Sequence, residues 1–121
     1  MFKEPLAAIL ANTEDSLGVM IMGMDGISVE TLLSAEGESS NLDIAAAELS
    51  SLVRHTQRAG RNVDLGILQE MTFRFVRVKF LVRMVGEEYF IILALNAEGN
   101  IGRGHYELRK AEMRLAREFK F

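Results

Sequence analysis

Apolar residues recur along this chain with two different periods, and the switches between them mark out its elements. Phe2, Leu6, Ile9 and Thr13 stand at helical spacing, and Pro5 suits a first turn, where its missing N–H costs nothing. A short helix is expected over residues 4–13, laying one apolar face on a sheet. Leu17 to Met24 is apolar and rich in methionine, Asp25-Gly26 follows, and a second apolar run extends from Ile27 to Ala35. Asp-Gly between two such runs predicts a hairpin with a type I′ turn, whose two central residues both need φ > 0. Met20, Met22 and Met24 share one strand face, and methionine packs irregular gaps readily, so they read as core filling rather than as a binding surface.

Glu36 to Asn41 reads as a polar loop, and Ser40 with Asp43 resembles a capping box with Asp in place of the usual Glu or Gln. From Asp43 to Arg61 the period is helical, with Ala45, Leu49, Leu52, Val53, Thr56 and Ala59 along one stripe. Gly60 is expected to end the helix, beside Arg58 and Arg61, which suit its negative C-terminal dipole. The run Ala45-Ala46-Ala47 makes this helix small or apolar over more than one face, which implies two close neighbours.

Residues 63–95 predict three strands: one within Val63–Phe75, one from Val78 to Val85 and one from Tyr89 to Asn96. Val85-Gly86-Glu87-Glu88-Tyr89 suits a hairpin connection. The turn between the first two strands carries no Gly, Pro, Asn or Asp, so its position is unmarked. Tyr89 to Leu95 is apolar on both faces, as in a mid-sheet strand covered from two sides. After a loop at Ala97–Gly104, a helix is expected over His105–Phe119. Leu108, Ala111, Leu115 and Phe119 would face inward, while Glu107 with Lys110 and Arg114 with Glu118 would form exposed ion pairs.

Composition narrows the function classes. The chain of 121 residues fits one domain over 1–121, is 49% hydrophobic and 26% charged, and has no cysteine. No disulfide framework or thiolate metal site is therefore open to it, and the composition fits a cytoplasmic protein. A net charge of -3 disfavours broad phosphate-driven nucleic-acid binding. The N-terminal stretch lacks the basic head and long apolar core of a secretory signal, and no apolar run is long enough to span a membrane.

The residues that could carry chemistry do not assemble into a reactive constellation. No phosphate-binding loop ending in Lys-Ser/Thr is present. Gly102-Arg103-Gly104 ahead of a helix is too short a fingerprint for an anion site. His55 lies between Arg54 and Arg58, a poor setting for a metal, and both His55 and His105 read as solvated surface groups. Adjacent Glu87 and Glu88 in a solvated turn have no means of splitting their pKa values for acid–base work. Phe73, Phe75 and Phe80, interleaved with Arg74, Arg77 and Lys79, read as core or a sheet edge seeking a partner strand, rather than a base-stacking platform. No catalytic residue, cofactor or metal is expected.

Five pieces, in order, resemble the roadblock / dynein light chain family: Gly18-Val-Met-Ile-Met-Gly-Met-Asp-Gly-Ile, the helix from Asp43 to Gly60, Asp64-Leu-Gly-Ile-Leu, Val85-Gly-Glu-Glu-Tyr-Phe-Ile-Ile, and Asn100-Ile-Gly. The likeness covers about residues 4 to 118. The chain departs from many relatives after Glu70, where they carry a glycine-containing turn. The resemblance implies an α+β, profilin-like αββαβββα fold, with a five-stranded antiparallel sheet in the order 2-1-5-4-3 and helices on both faces. It further implies a homodimer in which the third strands and long helices meet across a two-fold axis, with Ala46, Leu49, Val53, Gln57, Phe73 and Phe75 at the contact. It implies a non-enzymatic module that docks a Ras-like small GTPase and regulates or scaffolds it, using Glu48, Ser51, Arg54, His55 and Arg58. A light-chain-like assembly adaptor with no GTPase partner is the alternative.

Overall fold

The computed structural model describes residues 2–119. Its elements are α1 (Lys3–Asn12), β1 (Ser16–Gly23), β2 (Ser28–Leu33), α2 (Ala35–Glu38), α3 (Leu42–Asn62), β3 (Glu70–Arg74), β4 (Val78–Val85), β5 (Tyr89–Asn96) and α4 (Ile101–Phe119). The strands form one sheet in the order β2-β1-β5-β4-β3, and every neighbouring pair is antiparallel. The expected α+β architecture and strand order are therefore present, with one additional short helix.

Strand alternation divides the core in two. One face of the sheet, with Met20, Met22, Phe80, Val82, Met84, Phe90 and Ile92, packs against Leu42, Ala46, Leu49 and Val53 of α3. The other, with Val19, Ile21, Leu81, Val85, Ile91, Leu93 and Leu95, packs against Leu6 and Ile9 of α1 and Leu108, Ala111 and Leu115 of α4. β4 and β5 begin and end at the residues the sequence pattern predicts, because both strands are buried on two sides and bounded by turns. Met20 and Met22 are core residues, and Met24 packs at the border of the same cluster.

Several local expectations are corrected. The β1–β2 connection is not a type I′ turn, since Gly26 has φ +87° but Asp25 is not in the positive-φ region. Gly23 and Ile27 close a three-residue loop, with the Gly26 N–H donating to the Gly23 carbonyl at 2.9 Å. The Asp25 carboxylate accepts from the Ile27 N–H at 3.0 Å, which holds Asp25 in the ordinary region and leaves glycine alone to supply the left-handed residue. The polar stretch after β2 contains the one-turn helix α2, whose Gly37 N–H is capped by the Ser34 hydroxyl at 3.0 Å. Gly37 sits so close to the Leu17 carbonyl that a Cβ there would collide with backbone. The Ser40–Asp43 capping box does not form; Asn41 precedes α3 without a side-chain cap.

Gly60 does not stop α3, which runs on to Asn62. The unmarked turn between β3 and β4 falls at Phe75-Val76-Arg77, closed by the Phe75 N–H on the Val78 carbonyl at 2.9 Å. α4 begins at Ile101 rather than His105, so Gly102-Arg103-Gly104 is helical. Gly104 faces the sheet, where a Cβ would strike the Leu81 side chain.

Candidate interaction surfaces

The long helix presents two faces with different roles. Ala46, Val53, Gln57 and Leu49 are 0%, 0%, 4% and 7% exposed, because they form the stripe that α3 turns to its own sheet. The expectation that these four meet a second copy is therefore corrected: their surface is already consumed within the protomer. Gln57 is also satisfied internally, donating to the Glu87 carbonyl of the β4–β5 turn at 3.3 Å. Ser50, absent from the expected stripe, is buried and donates back to the Ala47 carbonyl at 2.7 Å. The expected stripe members Leu52 and Ala59 are exposed instead.

On the opposite face, Glu48, Ser51, His55 and Arg58 are exposed and Arg54 is partly buried. All five expected partner-contact residues thus share one accessible side of α3. Arg54 is the most constrained, donating to the Ser50 hydroxyl at 3.3 Å beside Gly26 of the first hairpin. The accessible side of α3 also carries exposed apolar residues that sequence reading did not single out. Ile44 and Leu52 are 60% and 47% exposed, and Val63, just past the helix end, is 65% exposed. The following segment adds Leu65 at 79% and Ile67 at 57%.

The β3 edge is open. β3 pairs only with β4 among the described residues. The Met84 N–H donates to the Gln69 carbonyl and the Phe75 N–H to the Val78 carbonyl, so the odd-numbered backbone positions face β4. Glu70, Thr72 and Arg74 therefore aim their N–H and C=O groups away from the sheet. Phe73 is half-buried against the α3-side core. Phe75 is 55% exposed, its ring edge-on to Phe80 at 6.2 Å, and Val76 is 93% exposed at the hairpin tip.

A polar network ties this edge to α4. His105 is not a solvated surface group: it is 7% exposed, because the earlier start of α4 turns it inward. Its Nε2 lies 2.7 Å from the Thr72 hydroxyl. Nδ1 lies 3.5 Å from a Glu70 carboxylate oxygen, too far for a good hydrogen bond, and has no other partner among the described residues. Burial lowers the His105 pKa, opposed by Glu70 and reinforced by Arg109 and Arg83. Arg83 bridges Glu70 at 3.0 Å and Glu112 of α4 at 2.9 Å. Glu107, expected in an exposed pair with Lys110, keeps that pair at 3.5 Å but is itself 2% exposed and also meets Arg103 at 3.1 Å. The Arg114–Glu118 pair forms as expected, at 2.8 Å.

Charge is segregated along the sequence. Residues 4–53 contain nine carboxylates and no Lys or Arg, while thirteen of the fourteen cations fall after residue 53. The sheet order puts the acidic half, with β2 and β1, on one flank and the basic half, with β4 and β3, on the other. Among the described residues no group of three or more His, Asp or Glu side chains could hold a metal ion. No helix among them is long and apolar enough to cross a membrane.

A sheet in this order, with α1 and α4 on one face and the long helix on the other, is the arrangement of the roadblock domain, and the chain belongs to the roadblock family. It is similar to MglC from Myxococcus xanthus, with 31% identity, 98% of each chain covered and a TM-score of 0.70. Two more distant structures share the fold. The gliding protein MglB from Thermus thermophilus has 19% identity and a TM-score of 0.82, over 96% of this chain and 86% of that one. A Roadblock/LC7 domain from Streptomyces avermitilis has 14% identity and a TM-score of 0.80, over 98% and 97%. No family model and no curated protein matches the sequence.

Proposed function

We propose that this chain is a non-enzymatic homodimer that docks a Ras-like small GTPase on the exposed face of α3 and regulates or scaffolds it. The observation that carries the reading is the unpaired outer edge of β3. An open edge of outward N–H and C=O groups is a template for another strand. A two-fold axis through Thr72 would let two copies pair antiparallel, with Thr72 opposite its own counterpart. Glu70 of each copy would then face Arg74 of the other, and Met71 would face Phe73. Opposite charges and apolar pairs in those positions each add about 0.2–1 kcal/mol.

The exposed apolar residues on α3 support the same symmetry. An antiparallel helix pair centred on Leu52 brings Ile44 of one copy near Ala59 and Val63 of the other, so each exposed apolar group finds one like itself. The dimer contact is accordingly assigned to Leu52, Ile44, Val63, Phe73 and Phe75, and the residues buried against the sheet are left out. Glu48, Ser51, Arg54, His55 and Arg58 of both copies would then form one platform on the α3 side. Arg54 and Arg58 give the platform its cationic character.

The test is binding of a Ras-like GTPase from the native cell extract, loaded in turn with GDP and with a non-hydrolysable GTP analogue. Binding in at least one state, weakened by Arg58→Glu with the dimer intact, is the expected result. Binding in neither state removes the GTPase reading and leaves the assembly-adaptor alternative.

A further inference from the structure

We infer that His105, buried behind the open edge of β3, makes the pairing of two copies along that edge pH-dependent, because the Glu70 oxygen that a protonated His105 takes is the one offered to Arg74 of the second copy. The inference rests on the strand pairing proposed above and adds a control to it. Alternation along β3 sends Glu70, Thr72 and Arg74 to the α4 side of the sheet, where Thr72 and Glu70 meet the His105 ring. The Nδ1 atom of that ring is buried without a hydrogen-bond partner among the described residues. A buried nitrogen left open beside a carboxylate is a place for a proton.

The charged groups around the ring come from three elements. On β3, Glu70 accepts from Arg83 Nη1 through Oε1 at 3.0 Å, while its Oε2 stands 3.5 Å from His105 Nδ1. Arg74, further along the same strand, is exposed and has no ion pair among the described residues. From β4 come Arg83, whose Nε donates to Glu112 of α4 at 2.9 Å, and Lys79, whose Nζ donates to the Gly99 carbonyl at 2.9 Å. From α4 itself comes Arg109, exposed one turn beyond the histidine. With Glu112 held by Arg83, Glu70 is the carboxylate left to balance a charged ring. Burial lowers the His105 pKa most, Glu70 raises it, and Arg109 and Arg83 lower it further. The protonated form therefore depends on Glu70.

In a separate protomer the Glu70 side chain, 41% exposed, can pivot about its Arg83 contact and close the gap to a protonated Nδ1. The Thr72 contact does not resist this, since a hydroxyl donates to a neutral Nε2 or accepts from a protonated one. In the pair of copies Glu70 stands across from Arg74 of the other, with Cβ atoms about 4.5–5.5 Å apart. Oε1 is already held by Arg83, so the incoming guanidinium is drawn to Oε2. It competes with His105 for that oxygen and sets a further cation beside the ring. Strand pairing therefore lowers the affinity of His105 for a proton, and by linkage a bound proton weakens the pair. Each dimer holds two such sites, so the effect enters the dissociation constant twice.

Two measurements on the wild-type chain test this, with circular dichroism confirming the fold at each pH. In sedimentation equilibrium the dimer Kd is expected to rise at least tenfold from pH 7.5 to pH 5.5. In proton NMR the His105 ring should titrate at a higher pH in dilute, dissociated protein than in concentrated protein. The difference should be at least about half a pH unit, the tenfold change shared between two sites. His105→Gln, whose amide can still meet Thr72 but takes up no proton, should hold the rise in Kd below threefold. A dimer whose Kd is flat over this range, or falls toward pH 5.5, overturns the inference and leaves the dimer standing, as does a full rise in His105→Gln. The same His105 midpoint in dilute and concentrated samples overturns it without recourse to any variant. A chain that is monomeric at every pH removes the dimer reading, and this inference with it.

Discussion

Adjacent positions on α3 should respond to the same substitution in opposite ways. Val53 is 0% exposed against the sheet, whereas Leu52 is 47% exposed on the flank assigned to the dimer. Val53→Arg removes about 1.5–3 kcal/mol of burial. It also forces a cation into a dry core with no acceptor, at an effective cost of several kcal/mol. The sum, at least about 5 kcal/mol, rivals the whole stability of an ordinary domain, roughly 5–15 kcal/mol. Leu52→Arg lets the guanidinium reach water and costs the protomer about 1 kcal/mol or less. Circular dichroism melts and sedimentation velocity read both outcomes. Val53→Arg should show no cooperative melt, and Leu52→Arg should fold and sediment near the 13.5 kDa protomer mass. A Val53→Arg protein melting within a few degrees of wild type would refute the inward assignment. A folded Leu52→Arg dimer would refute the flank contact.

Other expectations follow from named contacts. Burial holds the His105 pKa below the ordinary histidine value of about 6.5, so the unfolded chain binds more protons there. Its contribution to stability is full above that pH and is lost as pH falls toward the folded-state pKa. His105→Gln should flatten the wild-type fall in Tm below pH 6.5, and an unchanged slope would exclude His105 as the cause. Arg74→Glu sets like charges together twice across the proposed two-fold axis and should raise the dimer Kd about ten- to thirtyfold, roughly 1.4–2 kcal/mol. A Kd unchanged in sedimentation equilibrium would contradict the register. Gly37→Ala pushes a Cβ into the Leu17 carbonyl and should cost about 1–3 kcal/mol in chemical denaturation. A neutral result would mean that α2 can move aside.

Much of the fold was legible because its elements announce their period. β5 could be bounded to the residue because it is an apolar run from Tyr89 to Leu95 between turn residues, and β4 because its apolar positions, interrupted only by Lys79 and Arg83, run from Val78 to the Gly86 turn. α3 was found but rotated. Three consecutive alanines give no phase, and the true inner stripe includes the polar Ser50 and Gln57, each satisfied by a backbone carbonyl. Hydrophobicity alone therefore selected Leu52 and Ala59, which face outward. α4 hid its first turn behind glycines because Gly104 must pass close to Leu81, a tertiary demand with no local signature. His105 looked like a surface residue for the same reason. The polar face of α3 was read correctly, since charged side chains on a half-buried helix have few other places to go.

The dimer is tested most directly at the backbone of β3. The Thr72 and Arg74 amides point away from β4, whereas those of Phe73 and Phe75 are on its side of the strand. Hydrogen exchange measured amide by amide across a range of protein concentrations should show Thr72 and Arg74 protected at high concentration, with protection fading on dilution. Rapid exchange at those two positions at every concentration, beside a protected Phe73, would mean that no second strand ever covers this edge.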